Sequence, residues 1–366
     1  MKKSLIFAAC AIAAMTACTK NEVFVNEQSA SKICFLPLAA TQTKSSPVTE
    51  YVEGTGDFKV YAWYQSTSVS ETFAPNGDIA KPNYTTYMNN VTCSYKENVT
   101  APRNKTWEPS SIYFWPKNGK LTFSAYYPAT AVVSVSAEKG ITTKDYVVTD
   151  ATNQVDLMFS NRAFDKTSST ATDGTAGKVY DGVDLVFNHA LAAADFAIKT
   201  KADYGTGTIK VYKIEIVDAL SKGDFAEGYT TGKATDAPKA AWTGQGENAT
   251  YTVLDGMTTS SKIAVPTATA AKVGETCILL PQNFSDDVKV KVTYGIKFLD
   301  GTSEKWLQQT AEFPLKGTKD ANDVTINGWE MGKWYHYTLT FSLDTVYFAP
   351  SVTEWTNVTI KDFDVK

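Results

Sequence analysis

The fold is decided by residues 288–298, VKVKVTYGIKF, in which every second residue is apolar. The apolar positions are Val288, Val290, Val292, Tyr294, Ile296 and Phe298. Successive side chains of a β-strand point to opposite faces, so strict alternation predicts a strand with one buried face. We therefore expect these six side chains to lie on the inner face of a β-sandwich.

Strand patterns recur along the rest of the chain. Apolar residues alternate over residues 58–64, 183–187 and 335–343, where Leu339 and Phe341 are expected in a core. Residues 112–115 and 121–127 flank Asn118-Gly119, which predicts a β-hairpin. No segment carries a sustained helical period, so helices should be few and short. The sequence predicts an all-β protein.

Length and charge limit the number of domains and the function classes. A chain of 366 residues is long enough for two domains. The formal net charge of −4 argues against nucleic acid as a partner, because such binders need a dense basic face. Only His189 and His336 are present, which excludes a multi-histidine metal site. We expect no metal and no cofactor.

The domain boundary is expected within residues 166–182, where Val179 and Tyr180 are the only bulky apolar residues. Such a stretch is typical of a linker, and also of a long surface hairpin inside one domain. Taken as a linker, it divides the chain into an N-terminal β-sandwich at 33–175 and a C-terminal β-sandwich at 176–366.

The amino terminus has the pattern of an export signal. Lys2 and Lys3 precede an apolar run from Leu5 to Met15, which is too short to span a bilayer. Residues 1–17 are predicted to be a lipoprotein signal peptide that is cut before Cys18, whose thiol would carry lipid. The alternative is an ordinary secretory signal with an incidental cysteine. Residues 18–32 are polar and predict a tether.

The remaining cysteines are scattered and odd in number. Cys34, Cys93 and Cys277 lack the spacing of a disulfide framework or a zinc site. We expect them to be small buried hydrophobic residues.

Sequence motifs for catalysis were not found, so the protein is predicted not to be an enzyme. The chain lacks the GxSxG, HExxH, GxxxxGK[ST] and GxGxxG motifs. A carboxylate pair for glycoside hydrolysis stays open, although scattered acidic residues also keep a β-protein soluble. His189 is expected to be a core histidine, and His336 should face solvent or a loop. Three tryptophans, Trp63, Trp107 and Trp115, could form a sugar-stacking platform or lie in a core.

Seven segments, in order along nearly the whole chain, together resemble the fimbrillin family of type V pilins and related surface lipoproteins. They are Ala17-Cys18-Thr19-Lys20; FKVYAW at 58–63; Trp115-Pro116 with LTFSAYYP at 121–128; VDLVFNHALA at 183–192; Leu280-Pro281-Gln282; WYHYTL at 334–339; and FAPSVTEW at 348–355. The resemblance implies two tandem transthyretin-like β-sandwiches. It also implies a structural subunit of a fimbria on the outer-membrane surface, supporting adhesion.

The implied partners are other fimbrial subunits, the outer membrane through lipid on Cys18, and a receptor on a host or bacterial surface. Stalk subunits of the family are often matured by a cut after an arginine, but the first arginine here is Arg103. A cut after Lys44 is expected instead. The alternative function is a monomeric outer-membrane lipoprotein that binds glycans.

A strand-exchange mechanism of assembly follows from two apolar segments. The first contributes Ile33, Phe35, Leu36 and Leu38 and is expected to be an edge strand, where Pro37 is tolerated. Cutting after Lys44 would release this first strand and expose a groove that accepts a strand from another chain. The proposed donor is the C-terminal segment with Val358, Ile360, Phe363 and Val365. The alternative is that this segment is the last strand of its own domain.

Overall fold

The computed structural model describes residues 32–39, 56–66, 84–97, 105–150, 154–167, 182–204, 207–229, 238–320, 322–343 and 346–354. The predictions for the signal peptide, Cys18, Lys44, the linker around residue 175 and the donor segment at 358–365 lie outside these residues.

Strands make up most of the described chain. They are β1 Phe35–Ala39, β2 Phe58–Gln65, β3 Thr85–Glu97, β4 Lys105–Pro109, β5 Lys120–Tyr127, β6 Ser134–Ser136, β7 Gly140–Val147, β8 Met158–Ser160, β9 Ala163–Lys166, β10 Val183–His189, β11 Ala192–Thr200, β12 Ile209–Ala226, β13 Ala241–Asp255, β14 Ala271–Leu279, β15 Gln282–Asn283, β16 Lys289–Asp300, β17 Ser303–Pro314, β18 Thr318–Lys319, β19 Thr325–Ile326, β20 Gly328–Trp329, β21 Lys333–Phe341 and β22 Val346–Glu354. Within these ranges the helical structure is a single 3₁₀ turn, Ser260–Lys262. The all-β prediction is confirmed.

The first sheet has eight strands in the order β2-β3-β4-β1-β10-β8-β5-β9. Strand β2 also pairs with β5, which closes the sheet into a partial barrel. Phenylalanine rings meet edge to face inside it: Phe35 lies 5.6 Å from Phe123, and Phe58 lies 5.4 Å from Phe187, between ring centroids. Such pairs add directional contacts to the burial of apolar area.

Two further sheets form the second core. One has the order β17-β16-β12-β7-β6 with β13 also paired to β12, and the other has the order β14-β11-β21-β22. The ring of Tyr294 on β16 meets the ring of Phe341 on β21 at 5.5 Å. Both Leu339 and Phe341 are fully buried, as predicted.

The strand predicted from residues 288–298 is β16, preceded by Val288. Its inner face is buried from Val288 to Tyr294. The prediction was wrong for Phe298, which is 47% exposed. The reason is that the β16–β17 hairpin extends past the end of the core, so the alternation continues where no opposing layer covers it.

Strands from different parts of the chain are interleaved in the two cores. Strands β5 and β8 belong to the first sheet, but β6 and β7, which lie between them in the chain, belong to the six-stranded sheet. There β6 pairs with β7, and β7 pairs with β12. Strand β10 pairs with β1 and β8 in the first sheet, although β11 directly after it belongs to the four-stranded sheet. The chain therefore crosses between the cores more than once.

The predicted hairpin around Asn118-Gly119 was wrong. Strand β5 forms, but it pairs with β2, and Phe114 makes only an isolated bridge to Lys32. Gly119 has a φ of +91°, and a Cβ there would lie 2.3 Å from the carbonyl oxygen of Gln65. The glycine is needed for the close approach of the end of β2.

Candidate assembly site

Strand β1 lies inside the first sheet, between β10 and β4. It pairs in parallel with β10 from Phe35↔Val183 to Ala39↔Phe187, and antiparallel with β4 through the single pair Phe35↔Trp107. The prediction of an edge strand was therefore wrong. The apolar strand β10 supplies a second neighbour, and local alternation cannot identify a neighbour so far along the chain.

The predicted first-strand residues differ in how deeply they are buried. Ile33 and Phe35 are buried, with Phe35 between the rings of Phe58 and Phe123. Leu36 is half-buried and Leu38 is paired with Val186 on β10. Phe35 is therefore the apolar anchor of the segment, and its removal would open a groove lined by aromatic rings.

The hydrogen bonding of β1 is uneven on its two sides. Val183 N–H donates to the Cys34 carbonyl, and Ile33 N–H donates to the Tyr113 carbonyl, both over 2.9 Å. Pro37 has no N–H to donate. Because only one residue pair joins β1 to β4, the strand is held mainly by β10 and by its buried side chains.

The cysteine prediction is confirmed for two of three thiols. Cys93 and Cys277 are buried, and Cys34 is half-buried. Burial raises the pKa of the Cys93 thiol well above its usual value, and it raises the pKa of Cys277 to about 12. These two thiols are inert core groups.

The two histidines are both hydrogen-bonded to carboxylates. His189 Nδ1 contacts Asp156, so this histidine has a partner as expected, but its side chain is only partly buried. The prediction for His336 was wrong: its ring is buried, Nδ1 lies 2.8 Å from Asp195 Oδ1, and Nε2 lies 3.0 Å from Thr353 Oγ1. The three side chains come from β11, β21 and β22. They tie β22, the last strand of the described residues, to the sheet.

A buried charged cluster that no sequence motif indicates joins the two cores. The Arg162 guanidinium, between β8 and β9, lies 4.0 Å from the ring centroid of Tyr229 and 5.6 Å from that of Trp63. Arg162 Nη2 donates to the Ser136 carbonyl over 3.3 Å. Arg162 is one of only two arginines in the chain, and that rarity was the available signal.

Glu227 is the acidic member of this cluster and is fully buried. Its Oε2 accepts a hydrogen bond from Ile141 N–H. Burial raises the pKa of Glu227 to about 7, against the attraction of Arg162, which favours the charged form. A carboxyl group that titrates near neutrality therefore lies where β7 and the end of β12 meet the first sheet.

The sugar-stacking platform is excluded by burial. Trp63, Trp107 and Trp115 are 4%, 4% and 7% exposed and lie in hydrophobic clusters. Their rings cannot stack on a sugar from solvent. The alternative that they are core residues is correct.

The described part of the chain holds no group of three or more His, Cys, Asp or Glu side chains suited to a metal ion. It also contains no helix long and apolar enough to cross a membrane.

A family model described as fimbrillin-like matches residues 43–361. The fold is similar to that of a fimbrial protein from Bacteroides vulgatus, with a TM-score of 0.55 and 17% identity over 89% of this chain and 100% of the other. It is also similar to a "putative cell adhesion protein" from Bacteroides uniformis, with a TM-score of 0.51 and 15% identity over 89% and 98% of the two chains. Among curated proteins, none matches the sequence significantly.

Proposed function

Because the chain belongs to the fimbrillin-like family, we propose that it is a structural subunit of a cell-surface fimbria that supports adhesion. In this proposal the protein is exported as a lipoprotein through Cys18, reaches the outer-membrane surface, and joins other subunits by strand exchange. It has no enzymatic role. The proposal also includes the two tandem transthyretin-like sandwiches that the family resemblance implies.

The observation that carries the proposal is the position of β1. It is a five-residue strand anchored by Phe35, held on one side by β10 and on the other by one residue pair with β4. Removing it would leave unpaired backbone groups on β10 and an apolar groove beside Phe58 and Phe123. Both features favour the addition of a strand from another chain.

The two other parts of the mechanism are a cut and a donor. A cut after Lys44 would separate β1 from the remainder of the chain, because the strand ends at Ala39. The alternating residues Val358, Ile360, Phe363 and Val365 would then fill the groove of the next subunit.

The test is assembly in cells, read as a ladder of heat-labile oligomers on a denaturing gel without boiling. Lys44→Ala should keep β1 in place and abolish the ladder, and Lys117→Ala, at an exposed lysine, should leave it intact. Deleting residues 357–366 should give a folded monomer. If both variants still form ladders, strand exchange is wrong.

A monomeric glycan-binding lipoprotein is the alternative function. The aromatic platform on which that alternative depended is buried, so the fimbrial subunit is the better-supported proposal.

A further inference from the structure

A polar cleft of about 310 Å³ lies at the edge of the second core. Its walls come from the short ribbons β15–β20 and β18–β19, and from β21 and β22. This volume is at the lower end of the range for small-molecule sites, about 300–1,000 Å³. The cleft is far along the chain from β1.

The rim of the cleft presents side chains with spare hydrogen-bonding capacity. Within the described residues, Asn283, Asn327 and Glu330 make no side-chain hydrogen bond or ion pair, although all three are exposed at the cleft. Two amides and a carboxylate offer donors and acceptors side by side.

Asp320 adds an acceptor that its own loop holds in place. Its Oδ1 accepts hydrogen bonds from the N–H groups of Asn322 and Val324, both over 2.9 Å. Its other carboxylate oxygen has no hydrogen-bond partner in the part of the chain that is described. The Asp320 carboxylate is thereby held in place before any ligand arrives, which lowers the entropy lost on binding.

The floor of the cleft is aromatic and rigid. Trp329 Nε1 donates to the Tyr337 hydroxyl over 3.0 Å, and the indole packs edge to face on Phe284 at 4.7 Å. The Tyr335 hydroxyl accepts the N–H of Glu330 over 3.0 Å. This bond fixes the backbone from which the Glu330 carboxylate projects.

The lining favours a neutral ligand rich in hydroxyl groups. Asp320 and Glu330 are negatively charged and Lys333 is positively charged. The cleft is therefore complementary to neither a polycation nor a polyanion over its whole surface. Vicinal hydroxyls can donate to carboxylates and accept from amides, while the C–H face of a sugar ring can contact Val324 and Val352.

We propose that this cleft, of about 310 Å³, is a binding site for a neutral saccharide. The binding itself does not require filament assembly. Its use in adhesion rests on the proposed fimbrial function.

The test uses the unassembled full-length chain on a printed array of neutral oligosaccharides and their sialylated counterparts, followed by titration of the best neutral glycan. Wild type should retain neutral glycans in preference to the sialylated ones. Asn327→Ala removes a hydrogen bond to a hydroxyl, and Glu330→Gln replaces a charged acceptor by a weaker neutral one, so each should weaken binding about tenfold or more.

Matched controls are Asn248→Ala and Glu275→Gln, which change exposed residues outside the cleft and should bind as wild type does. Equal melting temperatures would show that all four variants are folded. Absence of any retained glycan, unchanged titration by both cleft variants, or preference for sialylated glycans would each overturn the proposal. Assembly ladders are read separately, so failure of the saccharide site leaves the fimbrial proposal standing.

Discussion

The N–H of Ile141 donates a hydrogen bond to Oε2 of Glu227 over 2.9 Å. This bond joins the start of β7 to the residue that follows β12, and the carboxyl group that accepts it is fully buried. Tyr229 and Arg162 are the ionisable groups that act on Glu227, and Glu138 and Tyr84 act on Arg162 in turn. The stability of the junction between the cores should therefore depend on pH.

Glu227→Gln should remove a pH dependence of stability. The pKa of Glu227 is raised from 4.5 to about 7 by burial, so the folded protein favours the protonated form. Its contribution is fully present below pH 4.5 and is lost as the pH rises through 7. At pH 8 Glu227→Gln should exceed wild type by up to about 3 kcal/mol in free energy of unfolding. Denaturant titrations between pH 4 and 8 measure this difference.

Glu138→Gln is the control, because the pH dependence of stability that it removes has the opposite sign. A hydrogen bond from Tyr84 lowers the pKa of Glu138, so its contribution is present at neutral pH and is lost on acidification. Parallel pH curves for wild type and Glu227→Gln would contradict the role assigned to the buried carboxyl group.

Val292→Asp should destabilise the second core strongly. Val292 is fully buried on β16, and the substitution would place an unpaired charge there at a cost of about 4 kcal/mol or more. Leu299→Asp on the same strand is the control, because Leu299 is 68% exposed. Thermal melting should separate the two variants; an unchanged melting temperature for Val292→Asp would refute the placement of this strand.

Phe35→Ala should weaken the unprocessed protein by about 3–5 kcal/mol, the usual cost of removing a buried phenylalanine. The ring is fully buried between Phe58 and Phe123. Leu36→Ala, at a half-buried neighbour, should cost clearly less. Urea unfolding measures both. Equal effects would mean that β1 is not anchored by its inward-facing side chain.

Cys18→Ala should abolish lipidation and membrane attachment. Stable anchoring needs two acyl chains, and the predicted attachment point is this thiol. Metabolic labelling with a fatty acid, followed by fractionation, measures the outcome. Label retained by Cys18→Ala would place the lipid elsewhere or identify residues 1–17 as an ordinary secretory signal.

Local sequence patterns predicted the strands well and their neighbours poorly. The alternation at residues 288–298 identified β16 because burial on one face imposes period two. The same reasoning placed Phe298 in the core, since a pattern does not reveal where the opposing layer ends. Asn118-Gly119 suggested a hairpin. In the structure Gly119 instead allows close contact with the backbone of Gln65, more than 50 positions earlier.

The candidate sites depended on contacts that no short stretch of sequence encodes. The segment with Phe35 was identified as a strand, but its pairing with Val183 determines that it lies inside the sheet. His336 was expected to face outward, but Asp195, from a different strand, is its hydrogen-bond partner. The proposed saccharide cleft combines Asn283 with Asp320, residues 324–330 and Lys333, which only the folding of two short ribbons brings together.

The parallel pairing of β1 with β10 has a kinetic consequence. Phe35 and Val183 are neighbours in space but are far apart along the chain, so their contact closes a very long loop. Closing such a loop loses much chain entropy, and contacts of this kind form late in folding. As the chain is synthesised, β1 must wait until residues 183–187 have emerged before it can pair with β10. Strand β1 is therefore expected to complete the first sheet late, only once β10 is available as its partner.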